Sequence, residues 1–289
     1  MTEPLAESRG ATRRFGDHVA VDRVNLSVRP GEVVGLLGAN GAGKTTLLRM
    51  LLGLLPASSG EVRLFGAAPS RATRQRIGYV PQSLGLYDDL TARENLRFAA
   101  AVFHSAPGTL PESLAAETLP LARLPLGTQR RVAFVQALAH HPDLLILDEP
   151  TSGVDPLMRA RLWEVIRDAS DGGMGVLVTT HYMEEAEECD RLVVMAEGRV
   201  VAEGDLPQIL GEEQVVVVET DDWAAALQRM EEGAMAPALV GRTLRIAGHT
   251  VPEVEHALVG MPCTVREAPA TLEERFVQIT SAASRSKRS

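Results

Sequence analysis

Apolar positions change rhythm several times along this chain. Residues 19–28 alternate (Val19, Val21, Val24, Leu26, Val28), the pattern of a half-exposed strand. Gly31 ends that run, and Val33-Val34-Gly35-Leu36-Leu37 follows as a continuous apolar stretch. Residues 144–147, 176–180 and 192–195 are similar runs, as expected of parallel strands buried on both faces. Residues 61–65 alternate, and 77–80 form a short strand that ends at Pro81. Between the strands the spacing turns helical, over 46–52, 91–103, 128–140 and 156–169. Thr91 opens the second of these helices with Glu94 three places on, a capping box. Strands alternating with helices predict an α/β sheet with its ligand at the carboxyl ends of the strands. Residues 105–124 break the rhythm with Pro and Gly and hold one short helical piece at 112–118.

Composition shifts near residue 205. Beyond it, strands at 215–218, within 239–246 around Gly241, and at 264–265 alternate with helices at 223–230, 254–258 and 272–279. The expected division is a first domain over 5–205, a small α+β unit over 206–280, and a disordered basic tail at 281–289.

The first apolar run leads directly into Gly38-Ala39-Asn40-Gly41-Ala42-Gly43-Lys44-Thr45. This is Gly-x4-Gly-Lys-Thr between a strand and a helix, the phosphate-binding P-loop. Its glycines let backbone N–H groups turn toward phosphate oxygens. The lysine reaches the β- and γ-phosphates, and the threonine hydroxyl ligates Mg²⁺. Gly38 through Thr45, with Thr46 in the helix that follows, are the expected ATP contacts, and the helix N-terminus adds its dipole.

Composition narrows the function. Of 289 residues, 45% are hydrophobic, enough for a sizeable core. A formal charge of -9 argues against a surface that coats nucleic acid. The two cysteines, Cys189 and Cys263, offer neither a disulfide framework nor zinc spacing, which fits a reducing cytosol. The first 15 residues lack the apolar core of a signal peptide, and no run approaches the ~18 apolar residues of a membrane span. The expectation is a cytoplasmic protein that serves a membrane through a partner.

The strand 144–147 ends in Asp148-Glu149. One carboxylate there suits Mg²⁺, and the second suits polarisation of an attacking water. The P-loop, the stretch Asp148-Glu149-Pro150-Thr151-Ser152-Gly153-Val154-Asp155-Pro156, and Thr179-Thr180-His181 together resemble the ATPase subunit of ATP-binding cassette (ABC) transporters. The likeness runs through roughly residues 5–205. It implies a P-loop NTPase fold: a RecA-like core with an antiparallel β subdomain and a helical subdomain. By the same resemblance Phe15 stacks on adenine, Gln82 touches Mg²⁺ and the attacking water, and Asp148 binds Mg²⁺ beside Thr45. Glu149 is implied as the general base, His181 as the γ-phosphate contact, and Asp155 as part of a loop crossing to a second cassette. The implied partners are a separate membrane permease and a second cassette, as homodimer or heterodimer.

Two departures from the family stand out. Where its signature reads Leu-Ser-Gly-Gly, this chain has Leu124-Pro125-Leu126-Gly127. Gly127 keeps its N–H for the partner's nucleotide, whereas the serine hydroxyl is lost. A hydrogen bond to a charged group contributes about 1.5–3 kcal/mol. The variant resembles a branch near the multidrug-type exporters. The stretch from Glu94 to Leu124 is also short, which implies a reduced helical subdomain. The C-terminal run 269–280 is similar to the closing helix of drug-export ATPases. These features favour an exporter ATPase; a regulatory cassette that binds ATP and hydrolyses it poorly is the alternative.

Overall fold

The computed structural model describes residues 3–105, 109–115, 117–233 and 235–286. They divide into two compact units, one of the residues up to Leu206 together with those from Ala283, and the other Pro207–Ala282.

The first unit contains two sheets. Strands β1 (Ala6–Phe15), β2 (His18–Val28) and β4 (Ser59–Leu64) make an antiparallel sheet in the order β2-β1-β4. Strands β3 (Val33–Leu37), β5 (Ile77–Val80), β6 (Leu144–Asp148), β7 (Gly175–Thr180), β8 (Arg191–Ala196) and β9 (Arg199–Gly204) make the second. Its order is β5-β6-β7-β3-β8-β9, parallel except for the β9 edge. Every residue of β3, β6 and β7 is buried, as their continuous apolar runs anticipate. Helix α1 (Lys44–Leu51) follows β3, and its Leu47, Leu48, Met50 and Leu51 share one core cluster with Val21, Leu26 and Leu64 of the small sheet and Leu36, Ile146 and Leu177 of the large one.

The shortened helical region comprises α2 (Arg71–Arg74), α3 (Ala92–Phe103), α4 (Glu112–Ala115), a 3-10 turn over Leu121–Arg123, and α5 (Leu126–Leu138). The Thr91–Glu94 capping box is present at the head of α3. Leu96, Leu114, Leu121, Leu124 and Val132 form a separate small core there. Helix α5 starts at Leu126, two residues before the apolar spacing suggests, with Pro125 as its N-cap. Pro125 has φ -54° and ψ 145°, so it ends the preceding extended segment, and the helix begins at the next residue. The short helix expected over 112–118 ends at Ala115, and residue 116 lies outside the described residues. Helices α6 (Pro156–Asp171) and α7 (Met183–Glu187) complete this part of the chain.

In the second unit, α8 (Leu206–Leu210) leads into strands β10 (Gln214–Glu219), β11 (Ala238–Val240), β12 (Thr243–Ile246) and β13 (Thr264–Pro269), in the order β11-β12-β10-β13, all antiparallel. Helices α9 (Trp223–Glu232) and α10 (Val251–Ala257) supply Ala226, Met230 and Val254 to a core with Val216, Val218, Leu244 and Ile246. Helix α11 (Leu272–Ser286) corrects one expectation, because residues 281–286 extend it where a disordered tail was anticipated. Ala282 and Ala283 are strong helix formers, which suits continuation of the helix beyond Thr280. Residues 287–289 lie outside the described part.

Candidate nucleotide site

Four parallel strands deliver the candidate residues to one end of the large sheet. Register explains why they meet there. Leu37, the last residue of β3, pairs with Thr180 of β7, and Asp148 of β6 pairs with Thr179. The P-loop, Asp148-Glu149 and His181 therefore leave neighbouring strands at the same height. Gln82 follows β5, the next strand out.

The P-loop needs its glycines. A Cβ on Gly38 would lie 2.6 Å from Met195 O. Gly43 has φ +104°, and a Cβ there would lie 2.4 Å from Ala20 O. The loop folds around Lys44, only 5% exposed, whose Nζ donates to Gly38 O at 2.5 Å and to Ala39 O at 3.3 Å. Burial holds this ammonium below the usual lysine pKa, while Glu149 and Asp148 pull it back up. Ala39, Asn40, Gly41 and Ala42 form the turn between Gly38 and Gly43, and Thr46 lies in the first turn of α1.

Thr45 Oγ1 donates to Asp148 Oδ1 at 3.3 Å. Asp148 is 2% exposed and also accepts from Thr179 Oγ1 at 2.7 Å. Thr179 Oγ1 in turn accepts from Glu149 N at 2.9 Å, so one hydroxyl sets both carboxylate-bearing residues. Among the described residues, no three or more His, Cys, Asp or Glu side chains gather to hold a metal. A single buried carboxylate beside a hydroxyl still suits Mg²⁺, which takes one or two carboxylates and completes its shell with phosphate oxygens and water.

Glu149 is the focus of the cluster. Its Oε1 lies 3.8 Å from Lys44 Nζ and 3.5 Å from His181 Nδ1, and its Oε2 accepts from Gln82 Nε2 at 3.3 Å. The backbone of Glu149 has φ +48°, a left-handed conformation that costs a non-glycine residue about 1–3 kcal/mol. Surrounding contacts must hold it. Arg130, 4% exposed on α5, donates to Glu149 O at 3.3 Å, to Pro150 O at 2.7 Å and to Ser152 O.

Three further candidates stand apart from this cluster. Phe15 closes β1, is 48% exposed, and carries the Arg13 guanidinium 4.7 Å from its ring centroid. Gly127 lies in the first turn of α5, where a Cβ would come within 3.1 Å of Met158. Asp155 caps α6, with Oδ1 accepting from Met158 N at 2.9 Å. A local capping role therefore accounts for the carboxylate of Asp155 within one chain.

Sequence reasoning assigned no role to Thr179, Arg130, Arg159 or Glu185. The available signal was the two hydroxyls closing an otherwise apolar buried strand; Arg130 and Glu185 sit among other polar residues and carry no such mark in the sequence.

Comparison with known proteins gives the family. The family described as ABC transporter matches residues 21–152. The Nod factor export ATP-binding protein I of Burkholderia orbicola (strain AU 1054) is 39% identical over 292 residues, covering 94% of this chain and 95% of that protein. The chain belongs to the ABC transporter family of ATP-binding proteins. The probable multidrug ABC transporter ATP-binding protein YbhF of Escherichia coli (strain K12) is 41% identical over 215 residues. That match covers 70% of this chain but spans only 37% of YbhF. Among solved structures, an ATP-binding subunit of an ABC transporter superposes with a TM-score of 0.63 at 30% identity, covering 71% of this chain and 91% of the other. A dimeric ATP-binding cassette, MJ0796, in a post-hydrolysis state bound to ADP and Pi, gives 0.61 at 25% identity, covering 70% and 98%. The α/β cassette fold is thus shared across the first unit, and cassettes of this family bind ATP.

Proposed function

We propose that this cassette hydrolyses ATP and that the hydrolysis powers export through a separate membrane permease. The observation that carries the reading is the convergence of Lys44, Gln82 and His181 on Glu149, one residue beyond the buried Asp148. Export is supported by the names of the relatives, a Nod factor exporter and a probable multidrug transporter.

The chemistry follows from the arrangement. The P-loop amides and Lys44 hold the β- and γ-phosphates. Thr45, Asp148 and the Gln82 side chain are the ligands offered to Mg²⁺, which when bound neutralises charge on those phosphates. Glu149 accepts the proton of the attacking water as its oxygen bonds to the γ-phosphorus. The bond to the β–γ bridging oxygen breaks, leaving ADP and phosphate. His181, 3.5 Å from Glu149, offers a ring nitrogen to the γ-phosphate and keeps the base in place.

Gly127 at the head of α5 and Asp155 at the head of α6 are the groups assigned to a second cassette arranged head-to-tail, whether identical or not. No helix among the described residues is long and apolar enough to cross a membrane. The proposed location, following from the proposed permease partner, is the inner face of the cell membrane.

Glu149→Gln keeps the side-chain shape and removes the base. Steady-state hydrolysis by the purified full chain is expected to fall about 10²- to 10⁴-fold while ATP binding persists. Unchanged hydrolysis in that variant would overturn the assignment.

A further inference from the structure

Glu185 sits on α7 with 1% of its surface exposed. A carboxylate at that depth is costly unless its oxygens are satisfied. Here they are satisfied by separate parts of the chain. Thr151 Oγ1 donates to Oε1, and Thr180 Oγ1 donates to Oε2 at 2.7 Å. Arg159 Nε of α6 lies 3.4 Å from Oε1.

Each partner leads to the reacting centre. Thr151 is two residues past Glu149, in the stretch whose carbonyls Arg130 grips. Thr180 precedes His181, and its hydroxyl also accepts from Tyr182 N at 2.9 Å, which fixes the turn on the far side of the histidine. Arg159 lies 4.6 Å over the Tyr182 ring, and that ring rests against His181 at 4.1 Å between centroids. One turn before Arg159 is Asp155, the cap of α6. The buried carboxylate therefore joins the loop that carries Glu149 toward Asp155 to the turn that carries His181.

We propose that Glu185 is a positioning residue for hydrolysis, holding the 149–155 loop and the 180–182 turn in register so that Glu149 and His181 close on the same γ-phosphate. The inference rests on the hydrolytic reading above. Glutamine at 185 would preserve volume but present one acceptor and one donor. Two hydroxyl donors then compete for one oxygen, and Arg159 loses its buried counter-charge. Nucleotide binding has no such dependence, because Lys44 and the P-loop make no contact with Glu185 among the interactions described above.

The test compares the full-length wild type, Glu185→Gln, Thr151→Val and the double variant, measuring kcat for Mg-ATP and the Kd of the fluorescent analogue mant-ATP. In each single variant kcat is expected to fall about 10- to 100-fold, the scale of a misplacement near 1 Å, with Kd within about twofold of wild type. The double variant is expected to cost no more than the worse single one, because both cut the same link. If Glu185→Gln does not fold, Thr151→Val decides by the same criterion. A kcat within about twofold of wild type overturns the inference. A loss of mant-ATP affinity matching the loss of kcat overturns it as well, because the carboxylate then supports the whole pocket. Absence of hydrolysis in the wild type is a separate failure, that of the hydrolytic reading itself, and it takes this inference with it.

Discussion

Lys44 is an ammonium enclosed by backbone carbonyls, 5% exposed and held below its usual pKa by burial. Its two carbonyl partners belong to the same loop that is assigned to phosphate. The fold gains little from such a charge, since removal from water offsets most of the attraction. A bound triphosphate gains much more, because the ammonium meets a concentrated negative charge in a site that excludes water. Lys44→Met should therefore separate the two. Its thermal midpoint without nucleotide is expected to stay within a few degrees of wild type, as for a volume-conserving change at a site that gives up an ion rather than packing. With Mg-ATP at about 100 times the wild-type Kd, the wild type gains about 2.7 kcal/mol of stability by mass action and its midpoint rises. The Met variant is expected to show no rise. A thermal-shift series with and without Mg-ATP makes the measurement. An undiminished rise in the variant would remove Lys44 from the site.

At the scale of elements, His140 ties the end of α5 to the sheet. Its ring stacks on Phe103 of α3 with centroids 4.0 Å apart, and its Nε2 lies 3.0 Å from Ile77 O of β5. That contact requires Nε2 to carry the proton, and Nδ1 is buried without a partner. Burial pushes the imidazole pKa down from 6.5, and neighbouring His141 pushes the same way. A base whose folded pKa lies below its unfolded one binds more protons when unfolded. Its contribution is therefore complete above pH 6.5 and is lost as pH falls through 6.5 toward the folded value. In urea titrations, His140→Leu is expected to be less stable than wild type by about 1 kcal/mol at pH 8, where the Ile77 bond is missing. The gap should narrow between pH 6.5 and pH 5. A constant gap across that range would contradict the assignment.

The same scale shows what a reader of the sequence can and cannot see. β3, β6 and β7 announce themselves because parallel strands buried on both faces are apolar throughout. β1 does not, since its buried positions are Ala6, Ser8, Ala11 and Thr12, small or hydroxyl side chains that carry no hydrophobic rhythm. α7 is an acid-rich helix of five residues, too short for any period to register. The P-loop is legible because its backbone demands glycine at fixed places. Glu185 is not, because its three partners come from a loop, a strand end and another helix, and only the folded chain brings them together. Pro125 lies between these cases: its compatibility with a helix start is readable, while its place as N-cap, three residues before the apolar spacing begins, is a property of the whole turn.

For the molecule as a whole, the decisive feature is that the main described core cluster of each unit draws on that unit's own residues. The cluster around Leu36, Leu47 and Ile146 draws on residues up to Met195 and Val200, and the cluster around Val216, Leu244 and Val254 begins beyond Leu206. Every residue assigned to nucleotide or metal, from Phe15 to His181, lies in the first unit. Two units with separate cores are expected to unfold in two steps, with enthalpies of about 140 and about 50 kcal/mol in proportion to their lengths. On the proposed site assignment ATP binds the native form of the larger unit alone, so linkage is expected to raise the midpoint of that transition and leave the smaller one in place. Scanning calorimetry of the full chain at several Mg-ATP concentrations reads both quantities at once. A single transition that moves bodily with nucleotide would mean that the accessory unit stands or falls with the cassette, and that the binding energy of ATP is felt beyond the unit that holds it.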